Sequence, residues 1–430
     1  MKILPQALSS KRSDVGSPPP AELAPAEAGS VDPPPVARVT TRLRGVEGFR
    51  ALAVLGVLVY HNWLYTEPSG SPADVGALSR WVLPHLPVGV TLFFTLSGFL
   101  LYRPIASRVL NGRPLQSLRS YLRNRSLRIV PAYWAILFAT GVVLPATLVR
   151  ASSSGLDLGR LAEHPSVLIR NAFLMQNYFP GSMDTGIPPA WSLAVEIVFY
   201  LVLPFLGMLA AFLATRASSR RLRIAALMVP PVLLLVVGTV TAGTWDAIGT
   251  HVSENAFDIV GRSFLNHADL FTFGMSLAVL MVMVEDGIIR LPRWWRVPTY
   301  ALFAALVGAT MLLADRGGLY IYRGAVRYEL LTGAAAALLL ALVVLPAVDA
   351  SRSILARILD TRIFVAIGLV SYSLFLWHEP LQRLANQQGW TVGGPRGFWI
   401  NLLILGAVSL AFSVLTYRFV ERPALARKKR

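Results

Sequence analysis

The sequence predicts an all-α polytopic membrane protein with about ten transmembrane helices. Three observations predict it. Of 430 residues, 54% are hydrophobic and only 15% are charged, whereas soluble domains carry roughly 25% charged residues. Apolar stretches of about twenty residues, long enough to cross a bilayer as helix, recur along the chain. Lys and Arg concentrate in every other segment between them, which is the pattern that orients membrane proteins.

The expected spans run at roughly 46–65, 88–106, 128–149, 190–214, 223–243, 264–285, 298–315, 326–346, 363–381 and 399–418. The seventh is short, and the eighth contains Arg327 and Glu329. With the N-terminus in the cytoplasm, the cytoplasmic segments hold 30 of the 40 Lys and Arg residues. Both termini are then cytoplasmic, and the protein is a multi-pass resident of the cell membrane. The net charge of +17 is read as an orientation signal, not as a nucleic-acid surface. The chain has no cysteine, which removes disulfides and thiolate metal sites.

The flanks are expected to differ from the middle. Residues 1–41 lack the apolar core of a signal peptide. Their Pro/Ala-rich stretch "SPPPAELAPAEAGSVDPPP" reads as a disordered cytoplasmic tail. Residues 42–423 form the membrane domain. Residues 424–430 form a basic tail suited to anionic lipid headgroups.

Within the first span, "FRALAVLGVLVYH" places Arg50 and His61 eleven residues apart. At about 100° and 1.5 Å per residue, their side chains share one helix face about 16 Å apart along the axis. Ionisable groups inside a membrane usually face a cavity or a partner, so His61 is either a base in a cavity or a satisfied polar residue near the outer interface. In "PPAWSLAVEIVFY", Glu196 is expected at the depth of His61, with Ser192 one turn earlier on the same face. There Glu196 would orient the imidazole, or else bond a neighbouring helix. Ser97-Gly98 in "FFTLSGFLL" reads mainly as small-residue packing. In "RNRSLRIVPAYW", Arg125 and Arg128 are helical neighbours, and two guanidinium forks suit phosphate oxygens as well as they suit ordinary positive-inside anchoring. In "SYSLFLWHEPL", Trp377 reads as an interfacial anchor and His378 as an outer-surface residue that contacts substrate or interface. No metal motif stands out.

Taken together, "RGVEGFRALAVLGVLVYH", "GVTLFFTLSGFLL", the Arg125–Arg128 pair, "WSLAVEIVFY", "SYSLFLWHEPL" and "YRFVERP" resemble, in order, the motifs of the acyltransferase 3 family, over roughly residues 42–423. The first motif reads Glu47-Gly48-Phe49-Arg50 where many members read Asp-Gly-Leu-Arg. The resemblance implies ten helices and transfer of an acyl group from cytoplasmic acyl-coenzyme A to a hydroxyl of a carbohydrate, glycolipid or glycosylated metabolite. It implies His61 as the catalytic residue with Glu196 beside it. It places Arg50, Arg125 and Arg128 at the acyl donor. Ser97, Trp191, Ser192 and His378 are the expected substrate contacts, with the loop 151–188. Some members carry an appended hydrolase-like domain; with about a dozen residues after the last span, none is expected in this sequence. The competing class is a transporter or flippase for an anionic or lipid-linked substrate, against which stands the absence of repeated halves. A homo-oligomer or a partner protein is left open, and nucleic acid is not expected.

Overall fold

A computed structural model of the chain describes residues 43–67, 72–152, 155–180, 182, 185–248, 259–314, 326–347 and 351–428. The expected N-terminal tail lies outside the described residues. Ten long helices organise the rest: α1 (Val46–Leu64), α2 (Val88–Leu110), α3 (Leu118–Phe138), α4 (Ala190–Thr215), α5 (Arg220–Ile248), α6 (Ala268–Glu285), α7 (Arg296–Ala314), α8 (Val326–Val344), α9 (Arg362–Gln387) and α10 (Gly394–Thr416). A two-stranded antiparallel hairpin, Thr147–Ser152 with Gly155–Gly159, interrupts the all-helical pattern between α3 and α4.

Eight helices among the described residues are long and apolar enough to cross a membrane, fewer than the ten expected. Helices α1 and α8 fall outside that count. Helix α1 carries Glu47, Arg50, His61 and Asn62 in its nineteen residues, so the groups that make it chemically interesting dilute its apolar character. Among the described residues α8 offers a shorter apolar helix, Tyr328–Val344. Outward faces suit lipid: on α4, Leu201, Phe205, Met208 and Phe212 recur at helical spacing and are each about half exposed or more.

Helix α1 packs most closely on α9, and α2 on α6. The second contact depends on glycine. A Cβ at Gly98 would sit 2.3 Å from the Phe271 carbonyl oxygen, and one at Gly274 only 1.8 Å from that of Thr95. The two backbones touch at this crossing, which is the small-residue packing expected of Gly98. Phe99, Phe199 and Phe271 fill the adjoining core.

Helix α9 departs from expectation. It continues to Gln387, past Pro380, because its polar end is tied to α1. Gln382 Nε2 donates to Leu58 O at 3.3 Å, and Asn386 Nδ2 to Tyr65 O and Glu67 O at 2.9 Å. Trp377 is consequently not an interfacial anchor. It is buried, and its indole N–H donates to Thr416 Oγ1 at 3.0 Å.

Candidate active site

The α1–α9 contact places His61, His378 and Glu379 in one cluster. His61 lies one turn from the end of α1, where its ring reaches across to α9. Its Nδ1 is 3.0 Å from the Val57 carbonyl oxygen and 3.0 Å from His378 Nε2. A carbonyl only accepts, so Nδ1 carries a proton. The same argument applies to His378, whose Nδ1 lies 3.1 Å from Leu374 O. That leaves His378 Nε2 as an acceptor facing the His61 Nδ1–H. The other nitrogen of His61, Nε2, has the Glu379 carboxylate at 3.2 Å and makes no directional hydrogen bond among the described residues. It is the nitrogen left for chemistry.

Glu379 is itself held. Arg383 Nε donates to its Oε1 at 2.7 Å, and Tyr65 Oη donates to the same oxygen at 3.0 Å. The Arg383 guanidinium also lies over the Tyr65 ring at 4.4 Å. The carboxylate is therefore fixed, with one oxygen facing His61. His61, His378 and Glu379 each offer a ligand atom within 4.8 Å of the others, close enough to share a divalent cation, although one oxygen of Glu379 is already taken. His61 also lines a cavity of about 130 Å³ whose walls include Tyr60, Trp191, His267 and Glu329.

This arrangement corrects three expectations. Glu196 is not the partner of His61. It accepts hydrogen bonds from Ser97 Oγ and from Tyr200 Oη, the latter at 2.7 Å. Glu196 is six residues into α4, about 9 Å from that helix end, whereas His61 is about 5 Å from the end of α1. The difference in depth separates them, and Ser97 becomes a support for Glu196. Ser192 is buried, donates to Pro189 O at 3.0 Å and does not line the cavity. His378 is fully buried behind His61, not at an outer surface. Of the expected substrate contacts, Trp191 does line the cavity.

The other end of α1 gathers cations. Arg50 lies among Arg128, Glu421, Glu47 and Glu196 as its strongest charged neighbours. Arg125 and Arg128 face it from α3, with Arg125 beside the Tyr121 and Tyr200 rings at 5.9 and 6.0 Å. Among the described residues, no carboxylate stands within ion-pair distance of these three arginines, and Arg125 Nε is buried without a partner. Cations that converge unpaired form a site for an anion.

The sequence reading missed Lys428 here. The basic tail is expected at lipid headgroups, yet the helix that begins with α10 runs on through residue 426 and brings Lys428, half-buried, to this cluster. Burial, together with Arg128, Arg125 and Arg50, pushes its ammonium down to about 8. Glu421, from the "YRFVERP" motif, is buried and accepts from Ser373 Oγ.

A family model described as an acyltransferase domain matches residues 43–418. The chain is 26% identical over 393 residues to the O-acetyltransferase OatA of Staphylococcus aureus, covering 89% of this chain and 57% of that protein. It is 26% identical over 395 residues to the putative peptidoglycan O-acetyltransferase YrhL of Bacillus subtilis, covering 88% and 54%. It is 23% identical over 407 residues to the peptidoglycan O-acetyltransferase OatA of Listeria monocytogenes, covering 88% and 55%. The chain thus spans about half the length of these relatives. No solved structure matches it.

Proposed function

The chain belongs to the acyltransferase family, and from that premise we propose that it moves a short acyl group from acyl-coenzyme A to a hydroxyl of a cell-envelope carbohydrate. The observation that carries this reading is the pairing on one helix. Unpaired arginines stand at one end of α1, and an imidazole bordering a cavity stands at the other. The arginines suit the phosphates of the donor. The rise of about 16 Å from Arg50 to His61 is of the order of an extended pantetheine arm. The names of the relatives support peptidoglycan as the acceptor. The positive charge at the Arg50 end supports a cytoplasmic position for that end and for both termini.

In the chemical step, the acceptor hydroxyl oxygen attacks the thioester carbonyl while His61 Nε2 takes its proton. Glu379 stabilises the positive charge that appears on the ring, and the Val57 carbonyl keeps the Nδ1 proton in place. The carbon–sulfur bond then breaks, and the imidazolium returns its proton to the coenzyme A thiolate. The products are an ester and a free thiol.

The test uses purified, detergent-solubilised protein with radiolabelled acetyl-coenzyme A and solubilised peptidoglycan fragments. Thiol release and labelled fragments are expected, and His61→Ala should lower both by about 10²–10⁴-fold while expression and topology are retained. Wild-type turnover in His61→Ala removes His61 from the mechanism.

A further inference from the structure

We propose that His267 and Glu329, on the α6–α8 wall of the His61 cavity, form the subsite that holds a neutral polyol acceptor. The inference rests on the acyl-transfer reading above and names where its second substrate binds. His267 stands just before α6, and Glu329 lies in the first turn of α8. His267 Nδ1 is 3.2 Å from Glu329 Oε1, with side chains 8% and 16% exposed. Both residues line the cavity that His61 borders.

Two features point to an arriving donor of hydrogen bonds. Glu329 Oε2 is buried and has no hydrogen-bond partner, and neither does Asp269 Oδ1 nearby. A buried carboxylate oxygen left unmatched is costly, and a hydroxyl that enters the cavity relieves the cost at Glu329. Apart from Thr91, Thr332 and His61 the rest of the wall is apolar or aromatic, with the Trp191 ring 5.4 Å from His267. A few fixed polar groups in an apolar, aromatic cavity make a small-molecule site.

The charge of this wall chooses between the two substrates. The Glu329 carboxylate disfavours a polyanion such as coenzyme A, which the arginines at the far end of α1 attract. It accepts O–H donors, which a sugar presents in number. A cavity of about 130 Å³ admits the reacting hydroxyl arm beside the acyl group and leaves the remainder of a larger acceptor outside.

The experiment measures KM for acetyl-coenzyme A and for solubilised peptidoglycan fragments separately, in wild type, Glu329→Gln, Glu329→Asp and His267→Gln. Loss of a hydrogen bond to a charged group predicts an acceptor KM raised about tenfold to a hundredfold in Glu329→Gln and His267→Gln. The donor KM should move less than about twofold, and Glu329→Asp should recover part of the acceptor affinity. Equal movement of both constants, or none in either variant that folds, overturns the subsite and leaves the acyl-transfer reading standing. Wild-type protein that consumes acetyl-coenzyme A but never labels the fragments overturns the sugar acceptor. Wild-type protein that releases no thiol overturns the acyl-transfer reading itself.

Discussion

The two ends of α1 lead to clusters with opposite electrostatics. At the Arg50 end, Arg50, Arg125, Arg128 and Lys428 converge, and among the described residues none of the three arginines is ion-paired. At the His61 end, the Glu379 carboxylate is closed into a network with Arg383, Tyr65 and His61, and the facing wall carries Glu329. The first cluster has carboxylates in its field but none at ion-pair distance from its three arginines, which leaves the guanidinium groups for an anion. In the second, both oxygens of Glu379 have a neighbour, and Glu329 Oε2 and His61 Nε2 are left for a substrate. The contrast teaches that affinity and chemistry are separated along the helix, so substitutions at each end should fail in different kinetic constants.

The largest effect should follow Glu379→Gln. The substitution removes the charge that faces His61 and the carboxylate that Arg383 pairs with at 2.7 Å. Weakening a buried charge-assisted hydrogen bond costs about 1.5–3 kcal/mol, so thermal unfolding should shift down. kcat should fall about a hundredfold with the donor KM unmoved. Tyr65→Phe removes only one hydrogen bond from the same oxygen and should cost about 1 kcal/mol. If Glu379→Gln keeps the wild-type kcat, the carboxylate serves the fold alone. Exhaustive chelation sharpens the same point. Turnover that survives it fits proton transfer, and turnover lost and restored by one divalent ion assigns the His61–His378–Glu379 trio to a metal.

Next in size is the double substitution of Arg125 and Arg128 by Ala. The donor KM should rise about tenfold to a hundredfold, the scale of losing charge-assisted hydrogen bonds to phosphate, while the acceptor KM stays within about twofold. An equal rise in both constants would reassign the arginines to packing.

How much of this was legible in the sequence depended on whether the signal lay within one helix. The Arg50–His61 relation did, because a continuous α1 fixes both angle and rise. The partner of His61 did not. Glu379 stands on α9 near the end of the span expected at 363–381, whereas the helix continues to Gln387 and buries Glu379. Position along a span does not give the depth of Glu196, because the helix ends are staggered. Glu329 was noticeable as a carboxylate inside an expected span, a signal that points to a partner or a site. Its partner His267 sits in the turn leading into α6, and no spacing rule joins the two. Lys428 was hidden for a different reason. A basic tail after the last span reads as a headgroup anchor, and only the packing of residues 417–426 against α3 reveals another role.

The smallest effect, and the one that best separates the two ends, belongs to Lys428. Its ammonium titrates near 8, so below that pH it adds a fourth cation to the arginine cluster, and above it the charge is lost. The donor KM should therefore rise severalfold as pH increases through about 8, with the acceptor KM unaffected at that step. Lys428→Ala should show the raised donor KM at every pH, and Lys428→Arg the low value at every pH, because guanidinium stays protonated throughout. A donor KM that climbs equally in all three proteins would trace the pH step to another group. It would return Lys428 to the lipid headgroups, and the anion site would then consist of Arg50, Arg125 and Arg128 alone.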